Sequence, residues 1–155
     1  MDMTEIAEQI ELDVPAVLCG LFDLRHAFSR FYRPTLDRLG LTYPQFIVMM
    51  VLWQEGKTTM KALTEKVMLD SNTLTPLLKK LETAGLVTRA RNRDDERVLD
   101  VEATAKGMAL RTDGKLMAVE LAAASGESIE GVIELQQRLA KVRENIARAT
   151  AAAKD

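Results

Sequence analysis

Residues 69–82 read Leu69-Asp70-Ser71-Asn72-Thr73-Leu74-Thr75-Pro76-Leu77-Leu78-Lys79-Lys80-Leu81-Glu82, and this stretch decides the fold. Its leucines recur in steps of three and four residues, the spacing that places side chains on one face of an α-helix. Because Pro76 lacks an amide proton, it is best tolerated in a first turn, so the helix begins near Ser71, Asn72 or Thr73. The leucines that face inward are Leu74, Leu77, Leu78 and Leu81. The face left for solvent carries Asn72, Thr73, Thr75, Pro76, Lys79 and Lys80.

The segments on either side of this helix complete a known motif. Upstream, Thr59 precedes a short amphipathic helix that has Leu63 and Val67 on its inner side. Downstream, residues 87–91 and 97–101 have the composition of two strands, and the polar residues 92–96 join them. Two short helices followed by a hairpin make a winged helix-turn-helix, which places its second helix in the major groove of DNA.

The outer face of the second helix has groups that suit DNA. Hydroxyl and amide groups near its start, including that of Ser71, can bond base edges or phosphates. The Thr75 methyl group and the Pro76 ring can contact a thymine methyl, and Lys79 and Lys80 can reach phosphates. A capped and solvated surface helix has the same pattern, so it is the adjoining hairpin that favours DNA binding.

The predicted hairpin is basic. Arg89, Arg91 and Arg93 alternate along its first strand, which places them on one face, where they can enter a minor groove or clamp phosphates. Asp95 and Arg97 are two residues apart across the turn, so we expect a carboxylate and guanidinium pair that fixes the bend of the wing. Exposed pairs contribute little to stability, and the expected role is therefore geometric.

Long helices are predicted on both sides of this lobe, which spans residues 42–103. The first, at residues 13–39, begins at Asp13, carries a broad apolar stripe and stops at Gly40. Thr42-Tyr43-Pro44-Gln45 then has the form of a capping box, which opens an apolar helix.

The C-terminal helical region spans residues 105–150, with a break at Ser125-Gly126. Together with the helix at residues 13–39 it holds more apolar surface than one small lobe can cover. We therefore expect a homodimer, in which these helices form the contact between two copies.

Length and composition bound the other possibilities. The 155 residues amount to one domain, 1–155, and a single Cys and a single His exclude an intramolecular disulfide and a standard structural zinc site. We expect no metal and no cofactor. No apolar run approaches the ~20 residues of a membrane span, and the start lacks the basic and apolar pattern of a leader, so we expect no membrane contact and a cytoplasmic location. The net charge is -2, yet residues 57–97 hold nine basic and six acidic residues, which is compatible with a nucleic-acid-reading module.

An enzyme and a helical scaffold are the competing classes of function. Cys19 and His26 share a helix face, but roughly 10 Å separates them along the axis, too far for a direct hydrogen bond. The sequence also has no Gly-rich phosphate loop and no nucleophile elbow, so no catalytic residue is assigned. A scaffold with no DNA role would function equally well without the wing arginines.

The sequence resembles the MarR family of winged-helix transcription regulators from about Cys19 to Gly107. The resemblance rests on residues 69–82, on Ala84-Gly85-Leu86-Val87 and on Asp94-Asp95-Glu96-Arg97. Within that family, Leu41-Thr42-Tyr43-Pro44-Gln45-Phe46 and the Asp-Ser-x-Thr-Leu-Thr-Pro string are similar to the organic hydroperoxide resistance regulators and related thiol-based sensors. The resemblance implies an obligate homodimer built from the terminal helices, which binds an inverted-repeat operator in double-stranded DNA and usually represses transcription.

The same resemblance implies a role for the single cysteine. Hydroperoxide-sensing relatives keep one reactive Cys near the start of the first long helix, bonded to two Tyr phenols of the partner subunit, and Cys19, Tyr32 and Tyr43 match those positions. Oxidation of Cys19 by an organic hydroperoxide would then release the operator. Taken by itself, a lone Cys in a helical stripe is more often a small core residue. The alternative is therefore a repressor released by a small aromatic or lipophilic ligand, with Cys19 structural.

Overall fold

The computed structural model describes residues 14–152, and within them the side chains of residues 14–18 and 21 are not described. Asp13, the predicted cap of the first helix, lies outside the described residues. The helices are α1 (Val14–Leu39), α2 (Tyr43–Glu55), α3 (Met60–Val67), α4 (Ser71–Thr83), α5 (Ala105–Ala109), α6 (Arg111–Ala124) and α7 (Ile129–Ala152). The strands are β1 (Thr58–Thr59), β2 (Val87–Arg91) and β3 (Leu99–Ala103). The expected class, mostly helical with a small β wing, is confirmed.

The predicted helix boundaries follow from local capping. Thr42 and Gln45 form the expected capping box, because each backbone N–H donates to the other residue's side chain, at 2.8 Å from Thr42 and 3.4 Å from Gln45. Thr59 caps α3 and Asp70 caps α4, each by accepting a hydrogen bond from the amide three residues on. Gly40 ends α1 in the left-handed region, with φ of 68°.

The sheet differs from the predicted hairpin in two respects. The short strand β1 pairs with β3, so the order is β1-β3-β2, all antiparallel. The second wing strand begins at Leu99, so the prediction of residues 97–101 was wrong by two residues. The cause is the turn, in which Val98 donates its N–H to the Asp95 carbonyl and accepts from the Asn92 N–H, both at 2.9 Å.

The core lies between α2, α3, α4 and the sheet. The leucines of α4 behave as predicted, since Leu74, Leu78 and Leu81 have no exposed surface and Leu77 is partly buried against the same cluster. They pack among fully buried residues of the other elements: Val48, Met49 and Leu52 of α2, Leu63 of α3 and Val101 of β3. Burial of a large aliphatic side chain contributes about 1.5–3 kcal/mol, so this cluster fixes which face of α4 is left outside.

A tight joint connects this lobe to the C-terminal helices. The Trp53 indole N–H donates to the Gly107 carbonyl at 2.9 Å, and the ring is only 3% exposed. A Cβ added at Gly114 would overlap the Trp53 ring, and one at Gly107 would overlap the Leu86 carbonyl. Glycine is therefore required at both positions by close approach.

The outer helices present apolar side chains that no other described part of the chain covers. Exposed fractions reach 59% for Phe22 in α1, 64% for Val119 in α6 and 77% for Ile129 in α7. Further exposed apolar residues of these helices are Leu24, Phe31, Leu116, Ile133, Leu135, Leu139, Val142 and Ile146. No helix among the described residues is both long enough and apolar enough to cross a bilayer.

Gly114→Ala tests the joint. The added methyl group must displace the Trp53 ring, so we expect the free energy of unfolding to fall by about 1–3 kcal/mol and the Trp53 emission to shift to the red. Urea unfolding followed by fluorescence measures both. Gly20→Ala is the matched control, because Gly20 is also helical and an added Cβ there meets no described atom within 4 Å beyond its own stretch of helix. Unchanged emission and stability in Gly114→Ala would contradict the described packing.

Candidate nucleic-acid interface and cysteine site

The polar face of α4 is exposed along its whole length. All seven of its predicted DNA-contacting residues are exposed: Ser71, Asn72, Thr73, Thr75, Pro76, Lys79 and Lys80. The Thr75 hydroxyl donates to the Ser71 carbonyl at 2.7 Å, so its side chain still offers an acceptor lone pair and a methyl group. Pro76, Lys79, Lys80 and Thr83 line a shallow surface groove.

Asp70 fixes the start of this face. Its carboxylate accepts a hydrogen bond from the Thr73 N–H at 2.7 Å. That backbone hydrogen bond is the main reason why the pKa of Asp70 lies below its ordinary value of 3.8. Since the cap holds the first turn, it also sets where Ser71, Asn72 and Thr73 point.

Arg89 does not share the surroundings of the other wing arginines. Its guanidinium donates to Glu82 of α4 at 2.6 and 3.1 Å, and only 20% of its side chain is exposed. β2 ends at Arg91, as predicted, and Arg93 lies in the turn beyond it. Arg91 and Arg93 are exposed, whereas the Arg89 guanidinium is bonded to Glu82, so DNA contact by these arginines stays a prediction and is carried forward for Arg91 and Arg93.

The predicted pair at the wing turn is present. The Arg97 backbone N–H and its Nε both donate to Asp95 Oδ1, at 3.0 and 3.1 Å. The Arg97 side chain is 92% exposed, so the pair orients the guanidinium without burying it. This agrees with the geometric role expected for an exposed ion pair.

Asp100 is a residue of this region that the sequence reasoning missed. It is 5% exposed and accepts hydrogen bonds from Lys57 Nζ at 2.9 Å and from Asn92 Nδ2 at 3.0 and 3.2 Å. The hydrogen bond from Lys57 is the main reason why the pKa of Asp100 lies below its ordinary value of 3.8, and the bond from Asn92 is the second. The only available signal was an acidic residue at an inward position of a strand.

The two tyrosines predicted to act together are brought into contact. The Tyr32 and Tyr43 rings stack with centroids 4.6 Å apart and planes inclined by 16°. Partial burial, and secondarily the neighbouring Tyr32, raise the pKa of the Tyr43 phenol above its ordinary value of 10.0. Both rings border an apolar cleft of about 400 Å³ between α1, α2 and α6, whose other lining residues include Arg25, Phe28, Phe46, Met50, Met117 and Leu121.

Cys19 is exposed and lies far from this tyrosine pair within one chain. It precedes Tyr32 by thirteen residues of continuous helix, which corresponds to roughly 20 Å along the axis. Cys19 is therefore not a core residue of its own chain. His26, also on α1, packs edge-on against the Phe22 ring at 4.5 Å. No group of three or more potential metal ligands occurs among the described residues.

Comparison with known proteins identifies the family. The profile of the transcriptional regulator SarA/Rot family matches residues 30–113, which include the helix-turn-helix and the wing. The chain belongs to this family. This confirms the resemblance to the MarR-type winged-helix regulators, whose members regulate transcription.

Two relatives indicate the kind of regulator. The chain is 40% identical over 130 residues to the HTH-type transcriptional regulator TtmR of Methylorubrum extorquens, which covers 83% of this chain and 67% of that protein. It is 33% identical over 126 residues to the organic hydroperoxide resistance transcriptional regulator of Bacillus subtilis, with coverage of 81% and 86%. The chain is a transcriptional regulator of the winged-helix type.

Solved structures agree with this identification. Reduced AbfR bound to DNA, from a protein of Staphylococcus epidermidis, superposes with a TM-score of 0.70 at 29% identity and covers 90% of this regulator and 99% of that chain. NadR in complex with 4-hydroxyphenylacetate superposes with a TM-score of 0.71 at 26% identity, covering 86% and 96%. Regulators of this type are dimeric.

The Glu82 and Arg89 pair predicts a pH dependence of the regulator's stability. The hydrogen bond from Arg89 is the main cause that lowers the pKa of Glu82 below its ordinary 4.5. A carboxyl whose pKa is lower in the folded state stabilises the fold above the unfolded pKa, and this stabilisation is lost as pH falls through the folded pKa. We therefore expect wild type to exceed Glu82→Gln in stability at pH 7, and the difference to shrink below pH 4.5.

Urea midpoints at several pH values measure this difference. Glu102→Gln, at an exposed position of β3, is the control for loss of one negative charge. A difference between wild type and Glu82→Gln that is unchanged from pH 7 to pH 3.5 would contradict the assignment.

Proposed function

We propose that the regulator is a homodimeric repressor that binds an inverted-repeat operator and releases it when an organic hydroperoxide oxidises Cys19. The observation that carries the proposal is the division of α4, whose leucines are buried in the core while its hydroxyl, amide and amine groups are all exposed. A helix of that kind, placed in the major groove, presents base-reading groups near its N-terminus and cations to the phosphates.

The DNA contact divides into two parts. Asn72, Thr73, Thr75 and Pro76 read base edges and thymine methyl groups, and Ser71 bonds a phosphate or a base edge. Phosphates are bound by the exposed cations of α4 and the wing: Lys79, Lys80, Arg91, Arg93 and Arg97. Arg89 is left out of this set, because its guanidinium is bonded to Glu82. Asp95 acts indirectly, by orienting Arg97.

The dimer is built from the helical regions at residues 13–39 and 105–150. The exposed apolar residues of α1, α6 and α7 support this assignment, because stripes of that size on a single chain mark a protein contact. A twofold axis then places two copies of α4 one helical turn apart on the duplex, with the lobes at residues 42–103 facing DNA.

The chemistry at Cys19 is a two-electron oxidation. The thiolate sulfur attacks one oxygen of the hydroperoxide, the S–O bond forms and the O–O bond breaks. The leaving alkoxide takes a proton and departs as the alcohol, and sulfur remains as a sulfenic acid. Sulfur is thereby oxidised and the peroxide is reduced, with no metal or cofactor required.

The tyrosine pair acts on the cysteine of the other subunit. Within one chain about 20 Å of helix separates Cys19 from the stacked Tyr32 and Tyr43, so a bond between them requires the partner. The exposed thiol and the phenols on one edge of the apolar cleft support that arrangement. Oxidation alters the phenol bonds, and the dimer then relaxes to a spacing that no longer matches the operator.

The relatives support a redox signal. The Bacillus subtilis relative is named for organic hydroperoxide resistance, and AbfR has been solved in reduced, overoxidised and disulfide-formed states at 29% identity. A second function, release by a small aromatic or lipophilic ligand, is favoured by the cleft of about 400 Å³ and by the complex of NadR with 4-hydroxyphenylacetate. In that case Cys19 is structural.

Substitutions on α4 test the DNA contact. We expect Thr75→Ala or Pro76→Ala to weaken binding to an operator more than binding to a random duplex, because these residues face the bases. Lys79→Ala should weaken both equally and lower the slope of log Kd against log salt by about one. Fluorescence anisotropy measures all three, once with a duplex that wild type has selected from a library of random sequences and once with a random duplex. Equal losses on both duplexes for Thr75→Ala would refute the base-reading role.

The redox signal is tested with Cys19→Ser. We expect cumene hydroperoxide to release wild type from the selected duplex, dithiothreitol to restore binding, and Cys19→Ser to remain bound under the same treatment. Anisotropy again measures binding, and mass spectrometry follows the added oxygen. An unchanged peroxide response in Cys19→Ser excludes the redox mechanism. Release of both proteins by 4-hydroxyphenylacetate, with no response to peroxide, would favour the ligand mechanism.

A further inference from the structure

Asp100 occupies an unusual position for a charged residue. Among the residues the structure describes, it is the one charged or polar side chain in the buried class, with 5% of its surface exposed. Its neighbours in β3 along the chain, Leu99 and Val101, are apolar, and it lies opposite Ala90 in β2 and Thr59 in β1. A buried carboxylate is costly unless it is paired and hydrogen-bonded, so a specific role must be sought in its partners.

One partner connects Asp100 to the helical lobe. Lys57 lies in the turn between α2 and β1, and its Nζ is 2.9 Å from Asp100 Oδ2. The Lys57 side chain is 55% exposed while that of Asp100 is 6% exposed, so the ion pair joins a buried carboxylate of the central strand to an ammonium group at the surface.

The other partner connects Asp100 to the tip of the wing. Asn92 Nδ2 donates to both carboxylate oxygens, at 3.0 and 3.2 Å. Asn92 Oδ1 in turn accepts the backbone N–H groups of Asp94 and Asp95, at 2.9 and 3.2 Å. The Asp95 carboxylate in turn accepts hydrogen bonds from the backbone N–H and the Nε of Arg97. A continuous series of hydrogen bonds thus runs from Lys57 through Asp100 and Asn92 to the turn that contains Arg93 and Arg97.

We propose that Asp100 is a positioning residue for DNA binding, which fixes the wing tip through Asn92 so that Arg93 and Arg97 are held toward the phosphates. This inference rests on the proposed DNA-binding function. The arginines themselves touch DNA, and Asp100 acts only through them. Lys57 and Asn92 are both needed, since one fixes the carboxylate to the lobe and the other passes its orientation to the turn.

The sign of the effect separates positioning from simple electrostatics. Removing a negative charge from a protein that binds a polyanion strengthens binding by long-range attraction. Asp100→Asn removes one negative charge, and if that were its only effect the affinity for DNA would rise. Positioning predicts the opposite result, because the amide loses the ion pair with Lys57 and cannot accept both bonds from Asn92 without turning.

The experiment compares Asp100→Asn with Glu102→Gln in the full-length protein. Glu102 is an exposed acid two residues along the same strand, so it reports loss of charge alone. On a duplex selected by wild type, we expect Asp100→Asn to bind roughly tenfold more weakly near 0.15 M salt, with the slope of log Kd against log salt reduced by about one to two. Glu102→Gln should bind equally well or more tightly, with the slope unchanged.

A double-mutant cycle shows whether Asp100 acts through the wing. In an Arg93→Ala, Arg97→Ala background, Asp100→Asn should cause no further loss of affinity, because the residues that it positions are gone and only the loss of a negative charge remains. Full additivity of the losses would overturn the proposal. Asn92→Ala should reproduce the loss of Asp100→Asn without altering any charge, and it keeps the test valid if Asp100→Asn fails to fold, as judged by circular dichroism and dimer mass.

The outcomes also distinguish this inference from the proposed function. If wild type binds the selected duplex and Asp100→Asn behaves like Glu102→Gln, only the positioning role is lost. If wild type binds no duplex from the library, the repressor proposal and the positioning role both fail. On the random duplex, a loss of affinity in Asp100→Asn together with no loss in Thr75→Ala supports an effect of Asp100 on phosphate contacts.

Discussion

The structure depends on the burial of the α4 leucines against α2, α3 and the sheet. Three of them have no exposed surface, and because they recur in helical steps they leave only one orientation for the rest of the helix. Every exposed hydroxyl and amine that is proposed to meet DNA owes its direction to that burial. The Asp70 cap and the Gly85 turn, with φ of 73°, then set where the helix starts and ends.

The same core reaches the cleft beside Tyr32 and Tyr43 through α2. Phe46 lies at the tyrosine cleft and packs edge-on against Trp53, with centroids 6.0 Å apart, and Trp53 is bonded to Gly107 at the beginning of the C-terminal helices. A change at Tyr32 or Tyr43 is therefore one packed layer away from the joint between the two parts of the chain. Close-packed protein interiors transmit strain, so the proposed oxidation of Cys19 has a physical path to the proposed DNA-reading helices.

Much of the fold could be predicted because the decisive signals are local. Helix periodicity, the capping residues Thr42, Thr59 and Asp70 and the turn glycines each act within a few residues, and the structure has the helices where these signals predict them. The second wing strand was misplaced because Asp95 and Asn92 extend the turn through hydrogen bonds that no periodicity reveals. The exposed face of α4 was also predictable, because the same helical spacing that places the leucines inside places the polar residues outside.

What the sequence by itself determined was which residues are helical, which leucines are buried and which family motif they form, since these follow from spacing along one chain. Only the tertiary structure decided that Arg89 is bonded to Glu82, that Asp100 joins Lys57 to the wing tip, and that Tyr32 stacks on Tyr43. Each of these contacts joins different elements. A charged side chain in a strand has the same pattern whether it meets solvent, DNA or an opposite charge, and packing alone selects among them.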